Sequence, residues 1–203
     1  MKILKKILIV LVVLIAIAGI AGMFMPAKLA VERSVVINAN EQNIFDQVNT
    51  LKNWEKWSPW QKMDPTTKMT YFGPSSGVGA GYEWASKNEN TGSGSLTISE
   101  CTPYSLIKVD LDFKEMGKSI SYFKLDKADG GVKLTWTFES DPDSNPFKKL
   151  MMNTMGKYFM NKTYDEGLSA IKQIAESMPA PVAEPAPMDS TTIISADSTA
   201  MMK

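Results

Sequence analysis

Asn53-Trp54-Glu55-Lys56-Trp57-Ser58-Pro59-Trp60 carries three of the chain's five tryptophans. Each indole brings a large apolar body and one N–H that needs a partner once buried. A cluster of this kind, closing a helical stretch, either clasps a core or walls a ligand pocket. Immediately upstream, Ile44, Phe45, Val48 and Leu51 recur at three- and four-residue spacing after Asn40, a residue suited to capping a helix that begins at Glu41. Pro59 is expected to end this helical region.

Further upstream, Val31 to Asn38 alternates as a strand, with Val31, Arg33, Val35 and Ile37 on one face. Downstream, short strands are expected at Lys68 to Phe72 and Tyr82 to Ala85, joined through the Gly77-Val78-Gly79-Ala80-Gly81 turn. Four more follow, at Ser95 to Cys101, Leu106 to Phe113, Ser119 to Leu125 and Val132 to Phe138. In the second of these, Ile107, Val109, Leu111 and Phe113 oppose Lys108, Asp110 and Asp112. Such alternation marks antiparallel strands with one face buried and one wet. From Asn145 or Pro146 to about Met178 the period becomes helical, with Gly156 and Gly167 as points of loosening. The order is strand, helix, a meander of about six strands, then a long helix. A sheet with a single apolar face needs a cover, and the terminal helix is the candidate.

Composition removes several functions. Formal net charge is zero, which argues against a nucleic-acid binder. Histidine is absent, which removes Ser-His-Asp and Cys-His nucleophile systems, His-containing metal sites and the usual base near neutral pH. Arg33 is the sole arginine, so bidentate anion recognition has little to draw on. The single cysteine, Cys101, permits no intrachain disulfide and no Cys-rich metal cluster, and reads as a small buried hydrophobe. No metal, no cofactor and no catalytic residue is assigned.

Ile7 to Met25 is an uninterrupted uncharged run, preceded by Lys2, Lys5 and Lys6. At ~1.5 Å per residue it spans roughly 28 Å, close to a hydrocarbon core of about 30 Å. Residues 1–6 are therefore read as a cytoplasmic basic segment and residues 7–25 as a single-pass anchor in the lipid bilayer, with the remainder extracytoplasmic. The rival is a cleaved signal peptide, whose apolar region is ordinarily shorter, and no clear cleavage site follows the run. Residues 26–30 form a linker, 31–178 one domain, and 179–203 a tail rich in Pro, Ala, Ser and Thr that is read as disordered. A monomer is the default. Gly19 and Gly22 are the feature that would let two anchors pair.

The stretch Arg33-Ser34-Val35-Val36-Ile37-Asn38-Ala39 with Ile44-Phe45, the Val48-Asn49 run into the tryptophan motif, Gly77-Val78-Gly79 before Tyr82-Glu83-Trp84, and Phe147 with Gly167-Leu168 and Ile171-Lys172 together resemble the SRPBCC superfamily, in particular bacterial proteins of the polyketide cyclase/dehydrase type. The resemblance covers residues 31 to 178. It implies an α+β helix-grip (START-like) fold: a curved antiparallel sheet wrapped around a long C-terminal helix, here preceded by one transmembrane helix. It also implies an apolar cavity between sheet and helix and a small hydrophobic or lipid-like ligand as partner. Trp57, Trp60, Tyr82, Trp84, Val109, Leu111, Trp136, Met151, Met155 and Tyr158 are the candidates to line that cavity. For the tryptophan cluster the structural role, anchoring the first helix on the sheet, is preferred over ligand contact. The methionines could serve a soft pocket or simply fill gaps. Arg33 is read as a surface residue rather than an anion ligand inside the cavity. Fold does not fix function, so three readings stand: a membrane-tethered binding module, a cyclase or dehydratase using cavity carboxylates or tyrosines, and an envelope interaction domain with a filled core.

Overall fold

A computed structural model describes residues 2–88 and 91–179. The first helix, α1 (Lys2–Met23), has a mean hydropathy of 2.8 over its most apolar window and is long enough to cross a membrane. The helix includes the lysines ahead of the uncharged run, because lysine is a good helix former and nothing breaks the turn. After a short connection the chain enters β1 (Ala30–Ile37), then α2 (Glu41–Asn49), a 3-10 turn at Leu51–Asn53, α3 (Trp54–Trp57) and α4 (Pro59–Met63). Asn40 caps α2 as expected, its side chain accepting the Gln42 N–H at 2.8 Å. Pro59 does not end the helical region. It opens α4 at the first helical position, where its fixed φ fits and its missing N–H costs nothing.

Six strands follow: β2 (Lys68–Phe72), β3 (Gly81–Ala85), β4 (Ser93–Thr102), β5 (Leu106–Phe113), β6 (Gly117–Ala128) and β7 (Gly131–Ser140). With β1 they form one antiparallel sheet in the order β1-β7-β6-β5-β4-β3-β2. The chain closes with α5 (Pro146–Met151), one π-helical stretch at Met152–Gly156, and α6 (Lys157–Ser177). This is the α+β helix-grip arrangement that the family resemblance implies. The tail from Ala180 onward lies outside the described residues.

The terminal helix does not cover the inner face alone. Tyr164, Leu168, Ile171 and Ala175 form the buried stripe of α6, which packs chiefly along β1, with further contacts to β7 and to α2, α3 and α4. Arg33 on β1 makes a bidentate ion pair with Asp165 on α6, both contacts at 2.7 Å, on the surface. The carboxylate holds the guanidinium pKa above its ordinary value. Gly167 permits the close approach, since a Cβ there would lie 2.8 Å from the Trp136 ring and 3.3 Å from Pro59. The centre of the sheet is covered instead by α2 and the tryptophan segment.

Asp64, in the turn after α4, accepts from the backbone N–H and hydroxyl of Thr66, at 2.9 and 2.6 Å, and from the Ser86 hydroxyl just beyond β3. Those hydrogen bonds, Ser86 foremost, hold its carboxyl at about 2, below the ordinary 3.8.

Gly167→Ala should lower stability by about 1–3 kcal/mol through overpacking against Trp136, read as a lowered Tm against an unchanged Lys127→Gln control. The native state gains from ionised Asp64, so the gain is complete above the unfolded value of 3.8 and is lost as pH falls through about 2. Asp64→Asn should therefore destabilise the protein at neutral pH and flatten the loss of stability across that acid window in a urea titration.

Candidate functional site

All five tryptophans belong to one continuous array of rings that crosses the sheet's inner face. Tyr164 stacks on Trp136 with centroids 3.8 Å apart, and Trp136 stacks on Phe123 at 5.0 Å. Trp57 meets both Phe123 and Trp136 edge-on at 6.1 and 5.5 Å, while Trp60 packs on Trp136 and Tyr164. Trp54 links Phe123 to Tyr82, Tyr82 meets Tyr71 and Trp84, and Trp84 ends the array against Phe113. The predominantly tilted, edge-to-face pairs are the favoured geometry for aromatic quadrupoles.

Four of the five indole N–H groups in this array are hydrogen-bonded. Trp57 Nε1–H donates to the Gln47 carbonyl at 2.9 Å and Trp54 Nε1–H to the Val48 carbonyl at 3.0 Å. These are carbonyls of the last turn of α2, which no intrahelical N–H satisfies. Trp136 donates to Ser121 Oγ at 2.9 Å, and Ser121 in turn donates to the Thr137 carbonyl at 2.6 Å. Trp84 donates to the Thr91 carbonyl at 3.1 Å. Burial pushes the Tyr82 and Tyr164 phenols well above their ordinary range.

The candidate residues named from sequence divide into three groups. Trp57, Tyr82, Trp84, Val109 and Trp136 are buried on or against the inner face. Trp60 and Leu111 are half-buried at its margins. Met151, Met155 and Tyr158 are 57%, 74% and 75% exposed, so they stand on the outside of the terminal helices and wall no interior. The reason is the π-helical stretch. Its wider turn shifts helical phase, so that Met152 comes into line with Met160 and both pack on the core, while Met151 and Met155 rotate outward. A single uninterrupted helical period cannot anticipate that shift.

The margin that α6 leaves uncovered is apolar. Leu111 and Phe113 on β5 and Met69 and Tyr71 on β2 share the inner face with buried neighbours, yet are themselves only half-buried. Ser119, opposite Leu111, faces the same way as Ser121, is 6% exposed, and its hydroxyl forms no hydrogen bond among the described residues. Sequence reasoning missed Ser119. Its signal was a serine on the buried side of a strand, at a position where an apolar residue would alternate. The carboxylates Glu83, Glu100, Asp110 and Asp112 are all on the exposed face. Cys101 is half-buried beside Asn49, and burial pushes its thiol up. Among the described residues no group of three or more His, Cys, Asp or Glu is gathered to hold a metal ion. A separate open groove of about 640 Å³ runs along the outer side of α6 between Lys62 and Tyr158, Lys162, Asp165, Glu166 and Gln173. Its charged lining is unlike an apolar cavity.

Removing the Trp57 indole N–H should leave the Gln47 carbonyl buried and unpaired. Trp57→Phe is expected to cost about 2–4 kcal/mol, combining the lost partner with a partial cavity, measured by chemical denaturation.

Solved structures similar to this chain share the fold at low identity. Protein CV1439 from Chromobacterium violaceum is 15% identical, with a TM-score of 0.52 over 73% of this chain and 99% of its own. The Aha1 dimer from Colwellia psychrerythraea is 15% identical, with a TM-score of 0.50 over 73% and 96%. The di-domain ARO/CYC StfQ from the steffimycin biosynthetic pathway is 10% identical, with a TM-score of 0.57 over 74% of this chain and 51% of its own. Among curated proteins none matches. The sequence pattern described as "Polyketide cyclase / dehydrase and lipid transport" matches residues 28–176, which is the whole sheet together with its covering helices. The chain therefore belongs to the polyketide cyclase/dehydrase and lipid transport family.

Proposed function

We propose that this protein is a membrane-tethered binding module for a small hydrophobic or lipid-like molecule, held at the uncovered margin of the sheet. One observation carries the reading: inward-facing Leu111 and Phe113 are left half-exposed beside the unpaired Ser119 hydroxyl. An apolar surface with a few polar groups to orient a ligand is the usual make-up of a small-molecule site. The aromatic array forms the back of that site, with four of its five indole N–H groups already engaged. The tether is α1, held in the bilayer with its lysines on the cytoplasmic side.

The chemistry of the site favours binding over turnover. The strand carboxylates stand on the opposite face of the sheet. The buried phenols of Tyr82 and Tyr164 are held protonated by their surroundings. At the margin itself the Tyr71 hydroxyl donates to the Glu55 carboxylate at 2.6 Å, and burial together with that carboxylate holds the phenol protonated.

Native mass spectrometry of the purified chain, with solvent extraction of what co-purifies, should find a reproducible apolar molecule. Leu111→Trp should fill the margin and abolish that adduct, with Tm changed by only a few degrees. Ser119→Ala should keep the fold and weaken retention by roughly fivefold, the worth of about one hydrogen bond. A wild-type protein that is empty in mild detergent, or an adduct that survives Leu111→Trp, would sink the proposal.

A further inference from the structure

The uncovered margin lies at the end of the sheet from which α1 departs. Ser140 N–H donates to the Leu29 carbonyl at 3.0 Å, Asp141 N–H to the Lys118 carbonyl at 3.0 Å, and Asp143 N–H to the Ala27 carbonyl at 2.8 Å. These bonds set the exit of α1, the β5–β6 turn and the approach to α5 side by side. The β6–β7 turn at Asp129-Gly130 lies at the opposite end, roughly 33 Å away along the ten residues of β7.

Two apolar tips project from the α1 end. On the β5–β6 turn, Met116 is 66% exposed between Glu115 and Gly117, with Lys114 and Lys118 two positions to either side. On α5 and the π-helical stretch, Phe147, Met151 and Met155 are 48%, 57% and 74% exposed. The second tip is docked on the anchor itself. Phe147 lies on Gly19, 3.3 Å from where a Cβ would stand, and a Cβ on Gly22 would overlap the Pro146 carbonyl. Lys149 Nζ donates to the Met23 carbonyl at 3.3 Å, at the end of α1. Gly19 lies four residues before Met23, about 6 Å back along the helix. If α1 spans a bilayer, α5 packed at Gly19 is carried down into the headgroup layer with it.

We infer that this end of the domain, through Met116, Phe147, Met151 and Met155, is seated in the outer leaflet of the bilayer, so that the half-exposed margin at Leu111 and Phe113 opens onto lipid rather than onto water. Membrane seating accounts for large apolar side chains left exposed on two separate elements at one end. The flanking lysines suit anionic headgroups. A hydrophobic ligand would then pass between leaflet and site without crossing the aqueous phase. This inference rests on the tether reading of α1.

Site-specific depth measurement tests it. The full chain, with Cys101→Ser, receives one new cysteine at a time by Met116→Cys, Met155→Cys or Asp129→Cys. Each is labelled with an environment-sensitive fluorophore and reconstituted in vesicles of phosphatidylethanolamine and phosphatidylglycerol. Labels at positions 116 and 155 should emit to the blue and be quenched by nitroxide-bearing lipids, while the label at 129 shows neither effect. If the chain resists alkaline carbonate extraction but the labels at 116 and 155 behave like that at 129, the seating is wrong and the tether stands. If carbonate releases the chain, the tether reading fails and this inference with it.

Discussion

The end of α2 is where this structure is tied together. Its last turn presents carbonyls that no helical N–H can reach, and they point into an apolar interior where water cannot serve. Trp57 and Trp54 supply N–H donors to Gln47 and Val48, while Asn53 Nδ2 and the Thr50 N–H serve Asp46. Because the donors are indoles, satisfying the helix end also lays two large rings on Phe123, at the centre of the sheet. A hydrogen-bonding requirement and a packing requirement are thus met by the same side chains. The clasp fixes where α2 sits, and the array of rings that grows from it leaves α6 only the β1 side on which to pack.

That division of labour shapes the uncovered margin. With α2 to α4 on the middle of the sheet and α6 along β1, inward-facing residues near the β5–β6 turn go partly uncovered. The π-helical stretch contributes by turning Met152 and Met160 inward and leaving Met151 and Met155 outside. The same helices pack on the last turns of α1 through Gly19 and Gly22. The glycines that suggested paired anchors are thus occupied within the chain by Phe147 and Pro146.

Much of the architecture was legible from alternation and periodicity. Strict in–out alternation at Leu106 to Phe113 and Val132 to Phe138 marked antiparallel strands, and Asn40 marked the start of α2. The placement of individual side chains was less legible. Pro59 reads as a stop in the sequence yet begins α4, since proline serves at either boundary and only the following turn discriminates. Trp60 sits at the array's edge under α6, whereas Trp57 is sealed inside, and the motif alone does not distinguish them. Tyr158 has the same aromatic appeal as Tyr164, yet one borders an outer groove and the other stacks on Trp136.

What the sequence by itself determined was the order and kind of the elements, an apolar N-terminal helix long enough to span a bilayer, and a chemistry without histidine. These are local properties, set by side-chain period, capping residues and composition. Tertiary structure decided which apolar residues became core, which became margin and which stayed outside. That outcome depends on helical phase after the π-helical stretch and on which helix wins each part of the sheet, and both are settled by packing between segments more than a hundred residues apart.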